Sequence, residues 1–390
     1  MTAKSRDWHF EALRIFAMFL ILVSHFLNTS DWRVKRSPSS YHTWPRIIFD
    51  TMTNTGQIGV CLFVLISAYF LARSKSSPIP RMIKLWVQVF LYSLALYILW
   101  KICRVASLLP EPISRSMVRH PALEAIFPVT QRAYWFISAF FVVMAIGPFI
   151  NVLLDNITER QAWILAGIVV WVLFFWFFLN QNLRYFNEVS YLLAVYLFGN
   201  LIARYNNHLP KPNFAMVMMV SGVVFLLCVL GTRWLTAGGR IVKYMGYPGN
   251  LLTWNLKMAN SAPTPSLIIA LTIFLWVVNI PKQKAETHRK TLISRIVLTF
   301  SPSVLGVYLI HCNHNVWGIL WRSVNMWPEP LGLLNKFVFL SLANIGLFIG
   351  FMVISFVFNL MVVGPLSAWV EDLLARTRWK DKLQSISTFQ

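Results

Sequence analysis

"FEALRIFAMFLILVSHF", residues 10–26, is an apolar run of helical length that carries Glu11, Arg14 and His25 inside it. An α-helix repeats every 3.6 residues, so the steps of three, four and seven from Glu11 through Arg14 and Met18 to His25 set these side chains along one stripe. A membrane span needs ~20 mainly apolar residues, and an ionisable group inside one is costly unless it faces protein or water. The eleven residues from Arg14 to His25 make three turns, about 16 Å along the axis. The stretch is therefore predicted to be a first span with a cation towards one membrane surface and an imidazole towards the other. Asn28-Thr29-Ser30-Asp31-Trp32 follows with no small-residue cleavage pattern, so the span is expected to be retained. Two readings of Glu11 and Arg14 stand side by side, a functional charged stripe and an i,i+3 ion pair snorkelling near the interface. A lone histidine in a span is usually structural. The shared stripe is what marks His25.

The rest of the chain has the same character. Of 390 residues, 57% are hydrophobic and 13% charged, with 30 Phe and 17 Trp against 14 Asp plus Glu, and the mean hydropathy is +0.59. No compact globule buries that much apolar surface without leaving large sticky patches, which excludes a soluble enzyme. Long apolar stretches fall roughly at 9–29, 51–72, 82–103, 133–153, 161–179, 188–204, 214–232, 264–280, 292–312 and 336–363. They predict an all-α, polytopic integral membrane protein of about ten transmembrane helices, a single domain over 1–390. An even count puts both termini on one side. Arg73, Lys75 and Arg81 after the second stretch, Lys282, Lys284, Arg289 and Lys290 after the eighth, and the basic chain ends make that side cytoplasmic. Arg33, Lys35, Arg36 and Arg46, with Arg233, Arg240, Lys243 and Lys257, keep the opposite orientation open. The connections at 104–131 and 233–263 hold Pro, Gly and short apolar pieces, as re-entrant or interfacial segments do.

A formal charge of +21 would suggest nucleic acid in a soluble chain, but here Lys and Arg sit between apolar runs. Membrane lipids and phosphate-bearing partners fit better, and no nucleic acid is expected. Cys61, Cys103, Cys228 and Cys312 are scattered without CxxC spacing, so neither a disulfide framework nor a metal site is expected. GxSxG, Walker A, GxGxxG and HExxH motifs are absent, which excludes the hydrolase, ATPase and metalloprotease readings. In the second stretch Asn54, Gln57 and Cys61 recur at helical spacing, in the half level with His25. The ninth ends with Tyr308, His311 and Asn315 on one face. These polar groups are candidates to support the site or bind an acceptor, and polar helix packing explains Asn54 and Gln57 equally well. The run Arg73, Lys75, Arg81 and Lys84 suits either lipid headgroups or the phosphates of a soluble donor.

Taken together, these segments resemble the membrane-bound acyltransferase family 3, multi-span proteins that modify bacterial surface glycans and some lipids and antibiotics. Arg14 and His25 meet its Arg-x10-His pattern. "GQIGVCLFVLISAYFL" (56–71) looks like its Gly-Val-x-x-Phe-Phe-x-x-Ser-Gly-Tyr segment, with Ala68 in place of Gly. "RMIK" (81–84) is similar to Arg-x-x-Arg, and "YWFISAFFVVMAIGPFIN" (134–151) and "SVLGVYLIHCNHNVW" (303–317) look like its later segments. Cys312 stands where many relatives have Asp. The resemblance implies an O-acyltransferase of the surface-polysaccharide type, without a fused extracytoplasmic hydrolase-like domain, in the bacterial cytoplasmic membrane. Its donor would be acyl-coenzyme A, most often acetyl-coenzyme A, and its acceptor a hydroxyl of a surface glycan or lipid-linked sugar in the cell envelope. His25 would then be the general base, Arg14 would hold donor phosphate or developing charge, and Glu11 would orient Arg14. Arg81 and Lys84, with Arg73 and Lys75, would hold coenzyme A. The competing function is a transporter or flippase of glycan or lipid whose polar stripe does no covalent chemistry.

Overall fold

The computed structural model describes residues 6–29, 43–72, 77–108, 111, 115–175, 187–237, 264–281, 292–325 and 333–376. Among these the chain is helical and no strand is present. All ten apolar stretches carry helix. The first four give α1 (Trp8–Thr29), α2 (Trp44–Thr53) with α3 (Gly56–Leu71), α4 (Ile79–Val105) and, after a short α5 (Pro121–Ile126), α6 (Trp135–Asp155). The fifth to eighth give α7 (Glu159–Val170), α8 (Glu188–Tyr205), α9 (Phe214–Ala237) and α10 (Thr264–Val278). The last two give α11 (Leu292–Phe300), α12 (Val304–His311) and α13 (His314–Trp317), then α14 (Leu333–Phe358) and α15 (Gly364–Arg376). Seven helical segments among the described residues are long and apolar enough to cross a bilayer. Three of the ten stretches are not among them: within the described residues α7 and α10 fall short of span length, and α8 interrupts its apolar sequence with Asn200 and Arg204. Of the two long connections, 104–131 holds α5 among its described residues, and 233–263 begins with the end of α9 while 238–263 lies outside the described residues.

The chain packs as two units, residues 1–73 with 149–301 and residues 74–148 with 302–390. In the first, α3 is the central helix. A Cβ at residue 59 would lie 2.3 Å from the Ala17 carbonyl oxygen of α1, and one at residue 56 would lie 2.7 Å from Ser24 Cβ. On the other flank, a Cβ at Gly199 of α8 would lie 2.5 Å from the Ala68 methyl group. Small residues let the backbones approach where lipid supplies no hydrophobic drive for helices to associate.

The second stretch, expected as one helix over 51–72, starts earlier and breaks after Thr53. The cause is local competition for backbone carbonyls. The Thr51 hydroxyl donates to the Ile47 carbonyl, the Thr53 hydroxyl and Asn54 amide both donate to that of Asp50, and the Thr55 hydroxyl donates to that of Met52, at 2.7–2.8 Å. The Thr53 carbonyl left over at the break accepts the Ser24 hydroxyl of α1. At the far end of α3, Asn151 Nδ2 donates to the Leu71 carbonyl at 2.9 Å. Arg204 donates to the carbonyls of Ala72 at 2.9 Å and Asn151 at 3.3 Å while pairing with Asp155. This guanidinium sits at the negative end of the α3 dipole.

In the second unit, α4 and α14 hold the start of α12. Pro302 has no N–H, and the helical ladder restarts only at Val304. The Pro302 and Ser303 carbonyls are met from α14 and its π turn, by Asn359 Nδ2 at 3.4 Å and Ser355 Oγ at 2.7 Å. Tyr92 Oη joins Ser355 Oγ at 2.8 Å and donates to Asn359 Oδ1 at 3.0 Å. The outer faces of α9 and α14, with Met219, Leu227, Leu342 and Ile349 exposed, suit lipid.

Gly59→Ala is expected to destabilise the protein by about 1–3 kcal/mol, because the added methyl meets backbone rather than a movable side chain. Gly346→Ala, whose methyl meets nothing within 4 Å, is expected to be neutral or slightly stabilising. Thermal unfolding in detergent checks the pair, and equal effects would contradict the α1–α3 contact.

Candidate active site

The residues of α1 keep their predicted stripe. Asp7 accepts from the His9 backbone N–H at 3.0 Å where the helix starts. One turn on, Arg14 Nη1 donates to Glu11 Oε1 at 2.6 Å, with the Glu11 side chain 8% and that of Arg14 30% exposed. The i,i+3 ion pair is thus present, and it is the buried carboxylate that fixes the more open guanidinium. A guanidinium has five N–H donors, so the pair leaves Arg14 capacity for a further anion. Phe10 of α1 packs its ring against Tyr69, Phe70 and Phe274 beside this pair.

His25 is half-buried near the other end of α1. Its position is fixed from both sides along the chain. Ser24 is tied to the Thr53 carbonyl, and Thr29 Oγ1 donates to the His25 carbonyl at 2.8 Å. Of the residues expected near it, Gln57 lies half-buried in the first turn of α3, and Cys61 is fully buried with Sγ 2.8 Å from Tyr191 Oη of α8. Asn54 departs from expectation. It ends α2 and its amide closes onto Asp50, so the break separates it from the helical face of Gln57 and Cys61. Tyr191 was not marked by any spacing, because its partner lies 130 residues away in the chain.

The second unit holds Tyr308 and His311, one turn apart on α12 with ring centroids at 5.9 Å. His311 is fully buried, and its Nδ1 lies 2.6 Å from the Val307 carbonyl. Since a carbonyl only accepts, Nδ1 carries the proton and Nε2 is the basic nitrogen. Asn315 does not share their face as predicted, because the helix breaks at Cys312 and Asn313 and restarts as α13. The break is satisfied from elsewhere in the unit. Tyr134 Oη donates to the Leu309 carbonyl at 3.2 Å and accepts from Asn313 Nδ2 at 2.7 Å, while Trp321 Nε1 donates to the His311 carbonyl at 3.1 Å. Asn315 is held by Ser116, whose hydroxyl donates to its Oδ1 at 3.0 Å. Tyr134 and Asn313 lie within the motif segments, but only the break explains their work.

Among the basic residues, Arg73 and Lys75 lie outside the described residues. Arg81 and Lys84 are exposed in the first turns of α4, and Lys84 Nζ lies 3.0 Å from Glu371 Oε1 of α15. Both partners are about 60% exposed, so water screens the pair and Lys84 exchanges it readily for another anion.

No curated protein and no solved structure matches the chain. A family model described as an acyltransferase domain matches residues 8–364, which takes in α1 and both histidine-bearing segments. With nearly the whole chain covered, including the stripe of Arg14 and His25, the protein belongs to membrane acyltransferase family 3.

Proposed function

We propose that this enzyme is an O-acyltransferase that moves an acyl group, in the first instance acetyl, from acyl-coenzyme A to a hydroxyl of a surface glycan or lipid-linked sugar. Family membership makes it an acyltransferase of groups other than amino-acyl and sets aside transport without covalent chemistry. The observation that carries the finer reading is the α1 stripe, where Arg14 is held by buried Glu11 and His25 follows three turns later. The acceptor oxygen attacks the thioester carbonyl carbon as its proton passes to His25. The C–S bond then breaks, and the coenzyme A thiolate takes that proton, which regenerates the base. Arg14, about 16 Å along the helix from His25, takes negative charge on the donor's phosphates, and Glu11 positions it. Arg81 and Lys84 take coenzyme A phosphate. We further assign both termini to the cytoplasm of a bacterial cell, with about ten crossings of its plasma membrane.

His25→Gln retains hydrogen bonding but loses the ability to take up a proton. Purified His25→Gln protein is expected to transfer at least about a hundredfold more slowly than wild type, with acyl-coenzyme A affinity within about twofold, because a general base contributes ~10²–10⁴ in rate and little to ground-state binding. Near-normal transfer in stably inserted protein would remove the catalytic assignment.

Arg81→Ala combined with Lys84→Ala is expected to raise the KM for acyl-coenzyme A about tenfold or more while kcat changes little, since phosphate contacts are remote from the reacting carbonyl. Steady-state kinetics decide this, and an unchanged KM would return the cluster to lipid headgroups. Reporters fused at each end are expected to be cytoplasmic; opposite locations would reject the even crossing count.

A further inference from the structure

Residues 115–127, which follow α4 and contain α5, are fastened to the turn after His311 almost wholly by polar contacts. The Ser116 hydroxyl donates to Asn315 Oδ1 at 3.0 Å, and the Met117 N–H donates to the His314 carbonyl at 3.4 Å. The Glu124 carboxylate receives the Nδ1–H of His314 between its two oxygens, at 3.1 and 3.0 Å, and Arg322 Nη2 approaches Met117 Sδ at 3.7 Å. One further bond joins the segment to α4, from Ser93 Oγ to the Glu124 carbonyl at 3.4 Å. Apolar burial contributes little. Of residues 115–127 with described side chains, Ala125 alone is buried, while Met117, Leu123, Ile126 and Phe127 are exposed.

A segment with so few buried apolar contacts opens at lower cost than the helices around it. What lies on either side of it is fixed independently. Just beyond the segment, the Val129 carbonyl accepts the Ser138 hydroxyl of α6 at 2.7 Å. The turn after His311 is held by Tyr134 and Trp321, and Asn313 Oδ1 accepts the Asn315 N–H at 3.0 Å. The turn thus keeps its shape without the segment. With the segment in place the turn is closed, Cys312 being 8%, Asn313 2% and Asn315 1% exposed. The contact between Glu124 and His314 is the one with a carboxylate acceptor, the strongest kind among these. Glu124 is also mostly sheltered from water, so the pair is screened less than one on the open surface.

We propose that residues 115–127 are a gate over the turn after His311, latched by Glu124 on His314. Latched, the gate closes the turn; released, it opens the turn to the acceptor. The acceptor passes rather than the donor because the donor cations Arg81 and Lys84 occupy the first turns of α4, whereas the gate follows the last turn and folds back only to Ser93. That assignment rests on the acyltransferase reading above, and the gate itself rests on its contacts. Segments of low local stability supply the moving parts of many enzymes, and their opening often sets turnover.

Cys312 reports on the turn, and Cys61, fully buried in the other unit, is the control. Full-length protein in native membranes is treated with N-ethylmaleimide, and labelling of each cysteine is timed by peptide mass spectrometry. Glu124→Gln removes the carboxylate and keeps the side chain's shape. It is expected to speed labelling of Cys312 about tenfold or more, the scale of one charge-assisted contact, with Cys61 unchanged. Ser116→Ala, which removes an uncharged bond, is expected to give a smaller rise of about threefold. Loss of acyl transfer from acetyl-coenzyme A into the same membranes should keep pace with Cys312 labelling. Saturating acetyl-coenzyme A should leave that labelling rate unaltered. Unchanged Cys312 labelling in the Glu124→Gln protein, an equal rise at Cys61, or transfer that survives complete labelling of Cys312 would overturn the gate. Protection of Cys312 by acetyl-coenzyme A would overturn its assignment to the acceptor. Labelling is read without acyl chemistry, so failure of the His25 assignment leaves it unmoved.

Discussion

A backbone group without a partner inside a bilayer has no water to turn to, and that constraint orders this structure. Five helix breaks or ends among the described residues are each met by a named side chain: Ser24 at Thr53, Arg204 at Ala72, Ser355 at Ser303, Tyr134 at Leu309 and Trp321 at the His311 carbonyl. Two of these repairs adjoin the histidines of interest. The Ser24 bond sits one residue from His25, and the Tyr134 and Trp321 bonds close the end of the helix that His311 terminates. Breaks bring polar side chains into otherwise apolar surroundings, and the repairs hold those surroundings in one arrangement.

The same constraint separates residues that hold structure from those available for chemistry. Asn54, Asn151, Asn313 and Arg204 are engaged with backbone or with one another's supports. Glu11 is engaged with Arg14, and a buried carboxylate next to a guanidinium is tolerated because each offsets the other's desolvation. Since Arg14 and His25 share one continuous helix, their separation is set by helix geometry alone. Small-residue contact with α3 then fixes that helix, which is the preorganisation a charge-stabilising site requires.

Much of this is legible in the sequence, in uneven ways. The apolar runs and the stripe of α1 follow from period and hydropathy, and the ion pair of Glu11 and Arg14 is one of the two readings that their i,i+3 spacing leaves open. The break after Thr53 is written in Thr51, Thr53, Asn54 and Thr55, yet each alone is common in a membrane helix, and only their joint competition for carbonyls ends it. Asn315 falls on the face of Tyr308 and His311 only if the helical period runs on across Cys312 and Asn313, where the helix stops. Ala68 stands in a motif where glycine is usual, and Gly199 of a distant helix supplies the missing space. Contacts such as Cys61 with Tyr191, or Arg204 with the end of α3, join residues more than a hundred positions apart, and no local pattern records them.

The central claim is that α1 presents an imidazole that takes up the acceptor's proton. Chemical rescue tests it most directly. In His25→Ala protein that still binds acyl-coenzyme A, added imidazoles of graded basicity are predicted to restore transfer, faster with the more basic members of the series, because each supplies the missing proton acceptor. Transfer near the wild-type rate without any added imidazole, and indifferent to its addition, would contradict the claim.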